Sequence, residues 1–76
     1  MKTENEWANW VKGMLKGELK RRNITYEQLA QKLQEVGVNE TPAAIANKIS
    51  RGRFTAVFFL QCLDAIGVSN LRLRDE

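Results

Sequence analysis

The thirteen residues from Thr41 to Arg53 hold the side chains best suited to recognising a partner. The stretch TPAAIANKISRGR carries Asn47, Lys48, Ser50, Arg51 and Arg53, and it contains no acid. A carboxamide such as that of Asn47 offers the paired donor and acceptor that fit the major-groove edge of adenine. Ala43 and Ala44 are small enough to let a helix approach base edges, and an alanine methyl can meet the methyl of thymine. Lys48, Arg51 and Arg53 supply positive charge for phosphates, and Thr41 stands where a helix N-terminus would favour an anion. A solvated basic helix face, with its alanines serving only helix propensity, accounts for the same residues. Asn47 fits the two readings equally.

Catalysis has little to work with. Histidine is absent, and the single cysteine, Cys62, sits in the apolar run AVFFLQCLDAI. That leaves no ordinary nucleophile–base pair and no internal disulfide. Glu18, Glu27, Glu35, Glu40 and Asp64 are scattered without the spacing of a metal site. The expectation is a protein that is not an enzyme, with no catalytic residue, metal, cofactor or small-molecule ligand. Cys62 then reads as a small buried hydrophobe. The net charge of +3 favours a polyanionic partner. The longest apolar run, Ala56 to Leu60, is far too short to span a bilayer, and the first ten residues contain no apolar signal segment. A cytoplasmic protein with no membrane partner is expected.

Helices must position these residues, and their signals divide residues 1–76 into one domain of four helices. A chain this short buries only roughly 60% of its unfolded surface, so self-association would help to stabilise it. Residues 1–5 read as a frayed leader. From Glu6, the residues Trp7, Trp10, Val11, Met14, Leu15 and Leu19 recur at helical spacing, which assigns both tryptophans to the core. Lys12, Lys16 and Lys20 fall four apart on the opposite face, as a phosphate-tracking row or as a solvated one. Gly13 and Gly17 each cost about 1 kcal/mol in a helix interior. They fit either a close helix neighbour or tolerated slack. The second helix opens on Thr25 as N-cap, with Gln28 three residues on and Ile24 and Leu29 as a staple. The third opens on Thr41 and Pro42 and runs over 42–51 to Gly52, with Ile45 and Ile49 facing inward.

The fourth helix runs from Thr55 to Gly67 and is apolar nearly all round. At 100° per residue, Phe59, Leu60, Leu63 and Ile66 form an inward face. Val57, Phe58 and Ala65 fall outside it and, with Leu71 and Leu73 of the 69–76 tail, predict a dimer interface. Phe58 tucked under the first helix beside Trp7 or Trp10 would leave a monomer instead. The tail alternates apolar and basic residues, as a short strand or an extended arm would.

The run ITYEQLAQKL…ISRG…FLQCLDAIGVSNL resembles the small helix-turn-helix domains of the lambda-repressor-like, Cro/Xre type. Thr25, Leu29, Ala30, Leu33, Ile49, Gly52, Gly67 and Val68 carry the likeness, which covers about residues 12–71. The chain is also similar to a group of small uncharacterised bacterial proteins with the same pattern. The resemblance implies an all-α domain of four to five helices and a bacterial transcription regulator that binds double-stranded DNA as a homodimer. It places the helix 42–51 in the major groove. Gln28 and Tyr26, at the start of a helix that crosses the DNA backbone in this family, would anchor a phosphate; Tyr26 equally suits the edge of the core. One departure stands out. The family turns immediately after the residue matching Leu33, whereas this chain inserts Gln34-Glu35-Val36-Gly37-Val38-Asn39. Gln34–Val36 are predicted to lengthen the second helix on the face of Leu29 and Leu33, with Gly37 as the stop. Two other functions fit the same elements. One is a protein-interaction module on this scaffold, with the fourth helix and tail as its contact surface. The other is a nucleic-acid binder with little sequence preference.

Overall fold

In a computed structural model, which describes residues 1–74, the chain forms four α-helices: α1 (Glu4–Arg21), α2 (Tyr26–Glu35), α3 (Pro42–Arg51) and α4 (Ala56–Ala65). A threonine starts each one. The hydroxyls of Thr3, Thr25, Thr41 and Thr55 accept from the backbone N–H groups of Glu6, Gln28, Ala44 and Phe58. In α1 and α2 the cap is reciprocal, because Glu6 and Gln28 accept from the backbone of Thr3 and Thr25, each at 2.8 Å. The expected frayed leader over residues 1–5 is therefore corrected from Thr3 onward. The Thr3–Glu6 box satisfies two N–H groups that would otherwise face solvent, and it begins α1 at Glu4.

Three helices stop in the same way. After α1, α2 and α4 the chain passes through a left-handed residue: Asn23 at φ 55°, Gly37 at φ 85° and Gly67 at φ 84°. The next N–H turns back onto a leucine carbonyl at 2.9 Å in every case, Ile24 onto Leu19, Val38 onto Leu33 and Val68 onto Leu63. This is the Schellman arrangement, completed by a branched side chain that packs against the core. The phrases LKRRNI, LQEVGV and LDAIGV spell it three times.

The inserted segment follows from this stop. Gln34 and Glu35 extend α2 as predicted, and Val36 caps it. Val36 is exposed, however, because the reversal at Gly37 lays Val38 over Leu33 instead. Six residues, 36–41, then lead to α3.

The end of α3 is different. Gly52 is buried at φ 67°, and a Cβ there would stand 2.5 Å from the carbonyl oxygen of Ala8. The close helix approach is thus at Gly52. Nothing lies within 4 Å of the corresponding position at Gly13, and Gly17 meets only the Arg21 side chain of its own helix.

α2 packs on α3 and α4, and α1 on α3. Between them lie Leu15, Leu19, Leu29, Leu33, Ile45, Ile49, Phe58, Cys62, Leu63 and Ile66. Two expectations about this core are corrected. Trp7 is exposed and Trp10 half-buried, because the inward stripe of α1 centres on Ala8, Leu15 and Leu19. The indoles meet each other at 5.3 Å outside it, with the Lys2 ammonium over both rings. In α4 the inward face holds Phe58, Cys62 and Leu63, while Leu60 is 62% exposed. Phe54, in the link before α4, meets the Phe58 ring edge-on at 5.6 Å and stacks on the Phe59 ring at 5.8 Å.

Residues 68–74 form no strand, so of the two forms expected for the tail the strand is not found. Its last two residues, Asp75 and Glu76, lie outside the described residues. No helix among those described is long and apolar enough to cross a membrane.

Candidate nucleic-acid interface

The inward pair Ile45 and Ile49 fixes which side of α3 faces out. Ala43, Asn47, Ser50 and Arg51 are exposed there, and Ala44 is half-buried. Pro42 has no N–H to leave unpaired, and Thr41 takes the N–H of Ala44 at 3.0 Å. The first turn therefore offers the N–H of Ala43. The carboxamide of Asn47 and the guanidinium of Arg51 meet no protein partner among the described residues. This gives a short face with two small side chains at its N-terminal end and an amide in the middle. A cation follows at its far end.

The other two cations of the segment are engaged. Lys48 lies 2.6 Å from the carboxylate of Glu40 and 4.7 Å from the Phe58 ring centre, so it ties the α2–α3 link to α3 and α4. Arg53 reaches back to Asn5 at 3.0 Å and Glu4 at 3.3 Å, joining the α3–α4 link to the start of α1. The Glu4 pair is well exposed, and such a pair exchanges readily for another anion. Glu40 is the partner that reading from Thr41 onward overlooks. It stands one residue before the acid-free stretch.

Gln28 is exposed, but its side-chain oxygen is occupied by the N–H of Thr25, so only its amide NH2 remains to donate. Tyr26 is half-buried and packs on the core edge, in a cleft of about 280 Å³ with Leu19, Ile24 and Thr25. The lysine row of α1 is not wholly opposite the core. Lys12 is half-buried beside Gly52, and its ammonium donates to the carbonyl of Ser50 at 3.2 Å.

Of the five residues assigned to a dimer interface, the structure does not assemble one patch. Val57 is 65% exposed on α4, next to the equally exposed Leu60. Phe58 is withdrawn into the core and Ala65 is half-buried. Leu71 lies beside α1 instead, across a groove of about 570 Å³ from Trp10 and Met14. Cys62 is fully buried, as its apolar setting predicts. Burial pushes its thiol up to about 12, with the Glu40 carboxylate adding to the shift and Lys48 opposing it. At neutral pH it is a thiol and no nucleophile.

Residues 7–71 match a family model described as a domain of unknown function (DUF6471). No curated protein and no solved structure matches the chain.

Proposed function

The chain belongs to the DUF6471 family, which brings no activity with it, and from its outward α3 face we propose that it is a DNA-binding transcription regulator of the lambda-repressor-like helix-turn-helix type. In this reading α3 enters the major groove. Ala43 and Ala44 let it approach the base edges, Asn47 pairs with an adenine, and Ser50 and Arg51 take neighbouring phosphates. α2 lies across the backbone, with the Gln28 amide donating to a phosphate. The observation that carries the proposal is that, among the described residues, Asn47 and Arg51 have no partner on an acid-free face, beside neighbours whose charges are already paired. A helix held by Ile45, Ile49 and Gly52 leaves that face open. Two copies would associate through Val57 and Leu60 of α4, giving the two-fold symmetry that paired half-sites require. The test is selection from random duplex DNA, with an enriched site expected.

A second reading draws on a different observation. Val57 and Leu60 on α4, and Trp7 on α1 beside the half-buried Trp10, are exposed apolar side chains on two separate surfaces. More surface of that kind than one dimer contact uses favours a protein-interaction module on the same scaffold. Such a module would show no duplex binding even at low salt.

A further inference from the structure

The ion pairs among the described residues show which cations of this chain remain free of a carboxylate. Arg21 and Arg22 share Glu18, Lys48 holds Glu40, and Arg53 reaches Glu4. Lys16 and Lys20 are exposed on α1 and have no carboxylate within ion-pair distance among the described residues. They continue a row begun by Lys12. At 1.5 Å rise per residue, successive members stand about 6 Å apart along the helix.

Both ends of the row lie beside helices of the candidate interface. At one end the Lys12 ammonium holds the backbone carbonyl of Ser50, in the last turn of α3. At the other, Lys16 and Lys20 border the cleft that contains Thr25 and Tyr26, at the start of α2. Glu18 lies on the other flank of α1, bound by its two arginines. Glu27, one residue beyond Tyr26, is the first acid after Lys20 in the chain. The row thus bridges the end of α3 and the start of α2 as an unneutralised cationic edge.

We propose that this edge is a second DNA contact, in which Lys16 and Lys20 follow the phosphates of one strand of the duplex read by α3. The inference rests on the reading of α3 given above. It adds that α1 also touches the nucleic acid, through charge alone. Lys12 serves mainly to lock α1 to α3, so that the row and the α3 face keep a fixed relation.

The experiment measures affinity of the full chain for a short duplex carrying its selected site, from about 50 to about 200 mM salt. Each phosphate contact contributes about 0.9 to the slope of log affinity against log salt. The double variant Lys16→Gln/Lys20→Gln should therefore flatten the slope by about 1.8. Across that range it should lose roughly tenfold less affinity than the wild type. Its order of preference among sequences should not change. Arg72→Gln/Arg74→Gln removes the same charge from the tail and should leave the slope as it is. Circular dichroism should show both variants equally helical, since the four side chains are exposed. An unchanged slope in the lysine variant overturns the proposal, and so does an equal flattening in the tail variant. The α3 reading fails separately, if Asn47→Ala leaves sequence preference intact while the lysine slope still responds. A wild type that binds no duplex overturns both.

Discussion

Asn47 and Arg51 differ from Lys48 and Arg53 in one respect, which is that their polar groups meet no partner among the described residues. If Asn47 reads a base, Asn47→Ala should relax preference at one position and cost on the order of 1–3 kcal/mol at the best site. A competition assay over single-base variants of that site would show it; equal losses at every variant would count against a base contact. Lys48 is reachable by a different route. Glu40→Gln removes its partner 2.6 Å away, so the freed ammonium should strengthen duplex binding and steepen the salt slope by up to about 0.9. No steepening would mean that Lys48 does not reach a phosphate. Glu6 makes a prediction about pH. The Thr3 backbone N–H, aided by its hydroxyl, holds the Glu6 carboxyl below its ordinary 4.5. Its share of the cap is therefore fully present above pH 4.5 and is lost as pH falls through the lowered value. An NMR titration of the Glu6 side chain should give a midpoint below 4.5. In Thr3→Ala, which keeps the backbone N–H and removes only the hydroxyl, that midpoint should move part of the way up, and no movement would remove the hydroxyl's share of the cause.

At the scale of the helices, the caps are what the sequence makes legible. Thr25, Thr41 and Thr55 announce α2, α3 and α4, and Gly37, Gly52 and Gly67 stand just past their ends. The start of α1 is hidden because Thr3 and Glu6 lie in a polar stretch, before any apolar period begins. Asn23 does the work of a glycine after α1 and so escapes a search for glycine stops. The rotation of α4 is illegible for the opposite reason. A helix apolar on nearly every side does not say which face is buried, and the packing of α4 against α2 decides it. The glycines separate by environment. Gly13→Ala meets open space in a helix interior and should stabilise the fold by about 0.8–1 kcal/mol. For a domain of this size that is a rise in melting temperature of roughly 4–8 °C. Gly52→Ala meets both a left-handed backbone and the Ala8 carbonyl, and should cost more than the roughly 1–2 kcal/mol of the backbone strain alone. Thermal melts of the two variants shifting in the same direction would contradict this assignment.

For the whole molecule, the outward face of α3 was legible from residue types and helical period, whereas the exposed apolar side of α4 was not. Periodicity ranked Leu60 inside and Phe58 outside, and the fold exchanges them. Phe58→Glu should therefore unfold the domain, since it places a charge in the core. Leu60→Glu should leave the helices intact and abolish dimers in sedimentation equilibrium. A wild type that stays monomeric at high micromolar concentration would remove the dimer while leaving the α3 reading in place. The ion pairs are illegible for a further reason. Glu4 is 49 positions from Arg53 and Glu40 is 8 from Lys48, so only the fold reveals which cations remain free. The most direct test of the central claim is selection of the purified full chain against random duplex DNA at low salt. The result predicted here is an enriched motif of two inverted half-sites with an adenine position that Asn47→Ala no longer enforces. A selected pool no different from the starting library would contradict it.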